Sequence, residues 1–294
     1  MGADATSGYP SSRGLVLAGG GVTGIAWELG VLHGLAGGGV DLRDADLVIG
    51  TSAGSAVGAQ VCSGAPLTDL YGRQRSEDHQ EIPAEFDLEQ MMEAFADLFG
   101  PAAGTDEVRA RLGVRALDAP TVPEADRRKV IEWRLPDHEW PASPRLRITA
   151  IDTASGELVV FDRDSGVGLV DAVAASCAVP MIWPPVTIGS RRFMDGGVRS
   201  PTNADLAAGA DVVVVLAPLS VGPVQAIADA EVEALRAAGS SVVVVQPDDD
   251  AVAVMGDNAL DPSRRPVVAE AGDRQAAAVA DAVAAVWSTS RRSA

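Results

Sequence analysis

The sequence is poor in cysteine, histidine and aromatic residues. Its 294 residues include two cysteines and three histidines, and aromatic side chains make up 4%. Cys62 and Cys177 are far apart and lie among small apolar residues, which predicts two buried free thiols and excludes a disulfide framework. His33, His79 and His138 are scattered without the spacing of paired metal ligands, so the sequence predicts no metal site.

Positive charge and long apolar runs are scarce as well. The chain has 23 basic and 41 acidic residues, a formal net charge of −18, and its basic pairs are short, such as Arg127-Arg128 and Arg191-Arg192. Such an acidic chain repels phosphate backbones, which argues against nucleic-acid binding. No apolar run approaches the roughly 20 residues of a membrane span, and residues 1–12 contain no apolar leader segment. We therefore expect a cytoplasmic protein.

What the sequence does contain is an alternation of strands and helices. Residues 14–18 and 46–49 are short buried-type strands, and each is followed by a glycine-rich turn and a helical pattern, over 25–35 and 53–62. This order predicts an α/β fold with a mostly parallel central sheet sandwiched by helices. Further strands are predicted at 145–152, 157–161, 211–217 and 241–246, and further helices at 171–178, 224–238 and 269–287.

Residues 67–144 interrupt this alternation with charged, proline-containing helical sequence that has no clear strand. We interpret the chain as a flexible tail over 1–12 and one domain over 13–290 that carries a helical, lid-like insertion. Within the insertion, residues 87–99 predict an amphipathic helix.

The first glycine-rich loop has three interpretations. Residues 19–24 (GGGVTG) satisfy the G-x-G-x-x-G pattern of dinucleotide-binding proteins. That pattern requires an acidic residue at the end of the second strand, whereas Asp46 stands at its beginning. Consecutive glycine amides at a helix N-terminus also stabilise the oxyanion of an acyl-transfer intermediate. A plain strand-to-helix turn is the third interpretation.

The second loop places a serine at a strand-to-helix turn. Ser52 is the centre of GTSAG at 50–54, the G-x-S-x-G pattern that lifts a serine hydroxyl clear of a sheet; the alternative is a serine that caps the helix. A serine nucleophile needs a base, and no histidine follows His138. A carboxylate is therefore the predicted base. Asp195, followed by two glycines, is the best candidate, although Asp-Gly is also common in plain turns.

Together these motifs resemble the patatin-like phospholipases, or lipid acyl hydrolases. The resemblance is carried by GGGVTG at 19–24, GTSAG at 50–54, ASCAVP at 175–180 with WPPV at 183–186, and DGG at 195–197. It implies a Ser–Asp dyad of Ser52 and Asp195, an oxyanion hole formed by Gly19, Gly20 and Gly21, and chemistry that needs no cofactor. It also implies that the 175–180 stretch packs beside the active site and braces the dyad loops.

The chain departs from that family pattern at two positions beside the glycine loop. Ala18 stands where the family often has aspartate, and Thr23 stands where it usually has arginine or lysine. Both side chains lie outside the expected dyad, so the resemblance still implies activity.

The substrate follows from the resemblance and from the predicted insertion. An ester of a lipid acyl chain, a lysophospholipid or a short-chain ester fits, and the acidity favours monomeric or micellar lipid with at most transient membrane contact. One face of the 87–99 helix could line an acyl channel, or could pack on the core; its residues are Met91, Met92, Phe95 and Phe99. A dinucleotide-binding oxidoreductase and a non-catalytic scaffold are the alternative functions.

Overall fold

The computed structural model describes residues 12–84, 104–219 and 222–288. The strands in these ranges are β1 (Arg13–Leu17), β2 (Leu47–Gly50), β3 (Arg145–Asp152), β4 (Leu158–Phe161), β5 (Val186–Ile188), β6 (Arg191–Asp195), β7 (Val212–Leu216) and β8 (Ser241–Val245). The helices are α1 (Gly21–Gly37), α2 (Ala53–Cys62), α3 (Leu67–Arg75), α4 (Asp106–Asp118), α5 (Glu124–Arg134), α6 (Leu169–Ser176), α7 (Gly222–Ala237), α8 (Asp249–Met255) and α9 (Arg265–Trp287).

One mixed sheet organises the fold, with strand order β5-β6-β3-β2-β1-β7-β8 and with β4 paired to β3. The pairs from β3 through β2, β1 and β7 to β8 are parallel, whereas β4, β5 and β6 pair antiparallel to their neighbours. The predicted α/β fold with a mostly parallel central sheet flanked by helices is confirmed.

Alternating side chains of the strands divide the core into two layers. Leu15 and Leu17 of β1 pack into the larger cluster, with apolar residues of α1, α2, α6 and α9. Val16 points to the opposite face and packs with Val232 and Leu235 of α7. This is the two-residue period of a strand buried on both faces, which is why β7 and the Leu15–Leu17 part of β1 are apolar throughout.

Between α2 and β3 the described residues form α3, α4 and α5 and contain no strand. Residues 85–103, which include the predicted 87–99 helix, lie outside the described ranges. The β5–β6 hairpin and helix α8 are elements that the sequence pattern did not predict as such. Strand β5 is only three residues long and α8 only seven, too short for a clear hydrophobic period.

Strand register sets the level at which the two predicted catalytic loops meet. Gly50, the last residue of β2, pairs with Ile148, and Ala150, two residues further along β3, pairs with Asp195. Ser52 is likewise two residues beyond Gly50. The register therefore carries Ser52 and Asp195 to the same edge of the sheet, at the carboxyl end of its parallel strands.

Candidate active site

Ser52 occupies a strained turn between β2 and α2. Its backbone has φ 52° and ψ −116°, a left-handed conformation that costs a non-glycine residue of order 1–3 kcal/mol. Its side chain makes no capping hydrogen bond to α2, so the alternative of a helix-capping serine is wrong. The turn presents the hydroxyl at the sheet edge instead, with the first amides of α2 directly behind it.

Close backbone approach explains the glycines that flank the two catalytic loops. A Cβ on Gly54 would lie 1.9 Å from the Leu17 carbonyl oxygen, and a Cβ on Gly196 would lie 2.2 Å from Thr149 Oγ1. Real side chains never come that near. Glycine at these two positions therefore lets the Ser52 turn pack against β1 and lets the Asp195 turn pack against β3.

Asp195 is buried at the end of β6, with 4% of its surface exposed. Its Oδ1 accepts a 2.7 Å hydrogen bond from the Gly197 amide, while Oδ2 has no hydrogen-bond partner among the described residues. Burial raises the pKa of Asp195 to about 7, against smaller lowering effects of the Ser52 hydroxyl and the Gly197 amide. The hydroxyl is thus close enough to act on the carboxyl, but the pair lacks the geometry of a complete hydrogen bond, as is common in a site without substrate.

Three consecutive residues at the end of α6 hold both loops. Ser176 Oγ accepts a 2.9 Å hydrogen bond from the Ser52 amide, and Cys177 Sγ donates to the Ser52 carbonyl at 3.2 Å. The Ala178 carbonyl accepts the Asp195 amide at 3.0 Å. The side chains of Ser176 and Cys177 and the carbonyl of Ala178 thus hold the backbone of Ser52 and of Asp195 from one short segment.

Asn203 connects the same two loops from the other side, and the sequence pattern did not single it out. Its Nδ2 donates to Thr51 Oγ1 at 3.1 Å and to the Gly196 carbonyl at 3.3 Å. The residue itself has a left-handed backbone, with φ 47°, which asparagine tolerates better than most residues. The two residues that Asn203 contacts here, Thr51 and Gly196, are the chain neighbours of Ser52 and Asp195.

The glycine loop supplies two unused amides. Gly19 donates its N–H to the Pro201 carbonyl at 2.8 Å, whereas no hydrogen bond from the Gly20 or Gly21 amide occurs within the described residues. Within the predicted three-glycine oxyanion hole, the Gly19 amide is thus engaged, and the Gly20 and Gly21 amides are the donors left open among the described residues. A Cβ on Gly19 would lie 3.6 Å from the Ser52 Cβ, which places this loop directly beside the serine.

A segment near the C-terminus positions the glycine loop. The Ala259 carbonyl accepts the Thr23 amide at 3.1 Å, and Thr23 Oγ1 lies 3.4 Å from the same oxygen. The Thr23 side chain thus contacts Ala259 and helps to hold the loop, whereas the arginine or lysine that is usual in the family would place a positive charge here. Asn258, which precedes Ala259, donates to the Ala84 carbonyl at 3.0 Å. This C-terminal segment therefore also contacts Ala84, the last described residue before residue 85.

Met91, Met92, Phe95 and Phe99 are outside the described residues. His33 is bonded to Asp273, and His138 to the Glu132 carbonyl.

Asp46 accepts the Arg13 amide at 2.8 Å, at the start of β1 and thus at the sheet edge opposite the glycine loop. The loop therefore lacks the ribose-binding acid of a dinucleotide site. Across the part of the chain that is described, no group of three or more histidine, cysteine or acidic residues is placed to hold a metal ion, and no described helix is long and apolar enough to cross a membrane.

Comparison with known proteins agrees with this architecture. A model of the patatin-like phospholipase family matches residues 15–208. Among solved structures, VipD from Legionella pneumophila is 14% identical with a TM-score of 0.47, over 93% of this chain and 67% of VipD. The type III effector protein ExoU is 16% identical with a TM-score of 0.41, over 93% of this chain and 53% of ExoU. The chain thus spans about two thirds of the first and about half of the second.

Proposed function

The chain belongs to the patatin-like phospholipase family and is an ester-bond hydrolase of the lipid acyl hydrolase type, and from that premise we propose that Ser52 and Asp195 are its catalytic dyad. One observation carries the proposal: a strained serine stands beside a buried carboxyl whose second oxygen has no hydrogen-bond partner among the described residues. A buried acceptor left open in this way is ready to take a proton.

In the first step Asp195 accepts the hydroxyl proton while Ser52 Oγ attacks the ester carbonyl carbon. A carboxylate with an ordinary pKa near 4 is a weak base, and efficient general-base catalysis needs a pKa near the working pH. Burial raises the pKa of Asp195 to about 7. The same desolvation that makes the ionised carboxyl costly therefore makes it a competent base.

The negative charge that develops on the carbonyl oxygen needs donors close to Ser52. The amides of Gly20 and Gly21 are free for this role, and they stand at the N-terminus of α1, where the helix dipole favours negative charge. The first amides of α2 add a second positive end behind the serine. Preorganised donors of this kind contribute roughly 3–4 kcal/mol each to the stability of the transition state.

Collapse of the tetrahedral intermediate releases the alcohol, which takes the proton back from Asp195, and leaves an acyl group on Ser52 Oγ. Water then attacks the acyl carbon, with Asp195 again accepting the proton. The fatty acid leaves as Oγ regains its hydrogen. The whole cycle needs only the dyad, the amide donors and water.

A lipid acyl ester is the proposed substrate class, presented as a monomer or in a micelle because the chain carries a net charge of −18. We retain Met91, Met92, Phe95 and Phe99 as proposed contacts of the acyl chain. Family membership and the start of their segment at Ala84, which Asn258 ties to the glycine-loop side of the site, support this assignment.

Covalent labelling with a fluorophosphonate tests the dyad directly. The wild-type protein is expected to be labelled once, and Ser52→Ala to be unlabelled because Oγ is the bond-forming atom. Asp195→Asn is expected to label at least a hundredfold more slowly, since the hydroxyl then lacks its base. Ser63→Ala, at the other end of α2, removes a hydroxyl that donates to the Gln60 carbonyl and accepts from the Ala65 amide, and it should label like wild type.

The same set of variants separates the alternatives. If Ser52→Ala hydrolyses p-nitrophenyl esters as fast as wild type, the proposed dyad is wrong and a scaffold role is favoured. Tight binding of NAD(P) by an unlabelled wild-type protein would favour the oxidoreductase instead.

A further inference from the structure

The two arginine pairs of this acidic chain converge in space. Helix α5 carries Arg127 and Arg128, and strand β6 begins with Arg191 and Arg192. Glu124 joins α5 to β5, the strand paired with β6, because its carboxylate accepts hydrogen bonds from the Thr187 amide at 2.7 Å and from Thr187 Oγ1 at 2.9 Å. We call Arg127, Arg128, Arg191 and Arg192, with the intervening turn 183–186, the basic cluster.

Arg127 is the anomalous member of the basic cluster. It is 5% exposed, its guanidinium carbon lies 3.9 Å from the centre of the Trp183 ring, and neither Nε nor Nη1 has a hydrogen-bond partner among the described residues. Burial lowers the pKa of Arg127 to about 9, which is still above neutral pH, so the group carries its charge. Buried guanidinium groups are almost always paired with an acceptor.

A small cavity adjoins this guanidinium. It has a volume of about 20 Å³ and is lined by Glu124, Arg127, Arg128, Ala174, Pro184 and Val186. That space holds one oxygen-sized group. Arg192 adds a third unpaired donor near the same turn, since its Nε is buried without a partner among the described residues while Nη2 donates to the Pro185 carbonyl at 2.6 Å.

The acidic side chains of this region are bonded to other groups, and the charge of Glu81, which is bonded to Arg134, acts on Arg127 without a hydrogen bond between them. Arg128 bonds to Asp171 and pairs with Glu132, and Arg191 pairs with Asp152 at 2.7 Å. Both oxygens of Glu124 are used by Thr187, and its nearest approach to Arg192 is 3.9 Å. No ion pair involves Arg127 within the described residues.

We propose that the basic cluster binds one oxyanion of the phosphate class, with Arg127 as its buried anchor and Arg192 as a second donor. An anion oxygen in the cavity would accept from the open N–H groups, and charge-assisted bonds of this kind are among the strongest in proteins. The proposal stands apart from the dyad, because no contact it uses involves Ser52 or Asp195.

The phosphoryl group of a lipid headgroup and free phosphate present the same chemistry to this cluster. The position of the cluster makes either source relevant to the enzyme. The charge of Arg127 reaches Cys177 and lowers that thiol's pKa, against a larger opposing effect of burial, and Cys177 Sγ contacts the Ser52 carbonyl.

Thermal unfolding in inorganic phosphate, compared with chloride at equal ionic strength, tests the site. Phosphate is expected to raise the melting temperature of wild type by about 2 °C through mass action. Arg127→Met should lose this increment and, in chloride, should melt no lower than wild type, since removing an unpaired buried charge is not costly. Arg192→Gln leaves the Trp183 stack intact and should weaken phosphate binding about tenfold.

Arg236→Met is the matched control, because Arg236 lies on α7 and bonds to Glu233 and the Val242 carbonyl, away from the basic cluster. It should keep the full phosphate increment. The proposal is overturned if wild type shows no phosphate-specific increment and binds no phospholipid, or if the Arg127→Met and Arg192→Gln variants both respond as wild type does.

Sedimentation with phosphatidylcholine vesicles, with and without phosphatidic acid, identifies the source. Binding that requires phosphatidic acid and is lost in Arg127→Met assigns the site to a lipid headgroup. A phosphate increment without vesicle binding assigns it to free phosphate. Vesicle binding that is equal in wild type and Arg127→Met contradicts a role of the cluster in lipid recognition.

Discussion

Two buried carboxyl groups, in two regions of the molecule, have pKa values that are shifted in opposite directions. Glu81 packs against α5 and forms a double contact with Arg134, with Nε–Oε1 at 2.8 Å and Nη2–Oε2 at 2.6 Å. Burial raises its pKa, but the charge and hydrogen bonds of Arg134 outweigh that effect, so the pKa is lowered. Asp195 has no such cation, and burial raises its pKa to about 7.

The two pKa shifts differ because Glu81 has a cationic partner and Asp195 has none, although both carboxyl groups are buried. Glu81 and Arg134 satisfy each other and hold α5 against the segment around residue 81, so their charges are confined to structure. Asp195 has one oxygen held by Gly197 and the other open. A carboxyl that is held in place but left without a counter-charge is arranged for proton transfer, and this contrast can be broken by mutation.

The largest expected effect is that of Asp195→Asn on activity. We expect kcat/KM for a soluble ester to fall by roughly 10⁴-fold, because the amide cannot accept the Ser52 proton. For wild type, kcat/KM should rise with pH through about 7, as Asp195 becomes ionised. A pH series of steady-state rates measures both, and a wild-type profile that is flat between pH 5 and 8 would contradict Asp195 as the base.

The sign of the accompanying stability change is a second readout of the same variant. Since the folded pKa of about 7 lies above the ordinary value of 3.8, the native state keeps a proton that the unfolded state releases. Asp195 therefore contributes stability that is fully present below pH ~4 and is lost as the pH rises to about 7. Asp195→Asn should remove this part of the pH dependence without lowering the melting temperature at pH 8; Asp164→Asn, in an exposed turn, is the control.

Glu81→Gln is expected to have the next largest effect, and on stability instead of chemistry. It leaves the guanidinium of Arg134, 4% exposed, without its counter-charge, which costs about 3–5 kcal/mol of unfolding free energy. Denaturant unfolding of the purified variant measures this loss. The double variant Glu81→Leu with Arg134→Met should recover much of it, since it removes both charges. Equal stability of Glu81→Gln and wild type would show that the pair is not what holds this region.

The sequence predicted the layers of the fold well because its strands and helices have clear periods. The apolar runs of β1 and β7 and the glycine turns after β1 and β2 were sufficient to place the sheet, and the motif order pointed to Ser52 and Asp195. Their juxtaposition depends on strand register, from Gly50 to Ile148 and from Ala150 to Asp195. No local pattern encodes that register.

The supporting residues were less predictable, because they act through single long-range contacts. Asn203 and Ala259 reach the catalytic loops across 152 and 236 residues of sequence, and nothing in their own neighbourhoods marks them. Gly19 looked like an oxyanion donor by its place in the glycine run, yet its amide is taken by Pro201. The pairs Arg127-Arg128 and Arg191-Arg192 were visible in the sequence, but only the fold brings the two pairs together.

Glu28 extends the comparison to a carboxyl with neither a cation nor a nucleophile. It is 0% exposed on α1, and neither oxygen has a hydrogen-bond partner among the described residues. Burial raises its pKa well above the ordinary value, and the nearby Ala18 amide offsets this only in part. Burial therefore favours the protonated form of Glu28 in the native protein, and this residue has no role in the proposed reaction.

The smallest expected effect follows from this preference for the protonated form. Glu28→Gln replaces a carboxyl whose neutral form burial favours by a neutral amide of the same shape, so unfolding free energy at pH 6 should change by less than about 1 kcal/mol. Because the native state holds a proton that the unfolded state releases above pH ~4.5, wild type loses stability as the pH rises and the variant does not. Between pH 6 and pH 9 the melting temperature of wild type should therefore fall relative to that of Glu28→Gln. Glu157→Gln, at an exposed position before β4, should follow wild type. A large loss at pH 6 would mean that Glu28 is ionised and paired, as Glu81 is, and that burial without a cation does not keep a carboxyl neutral in this protein.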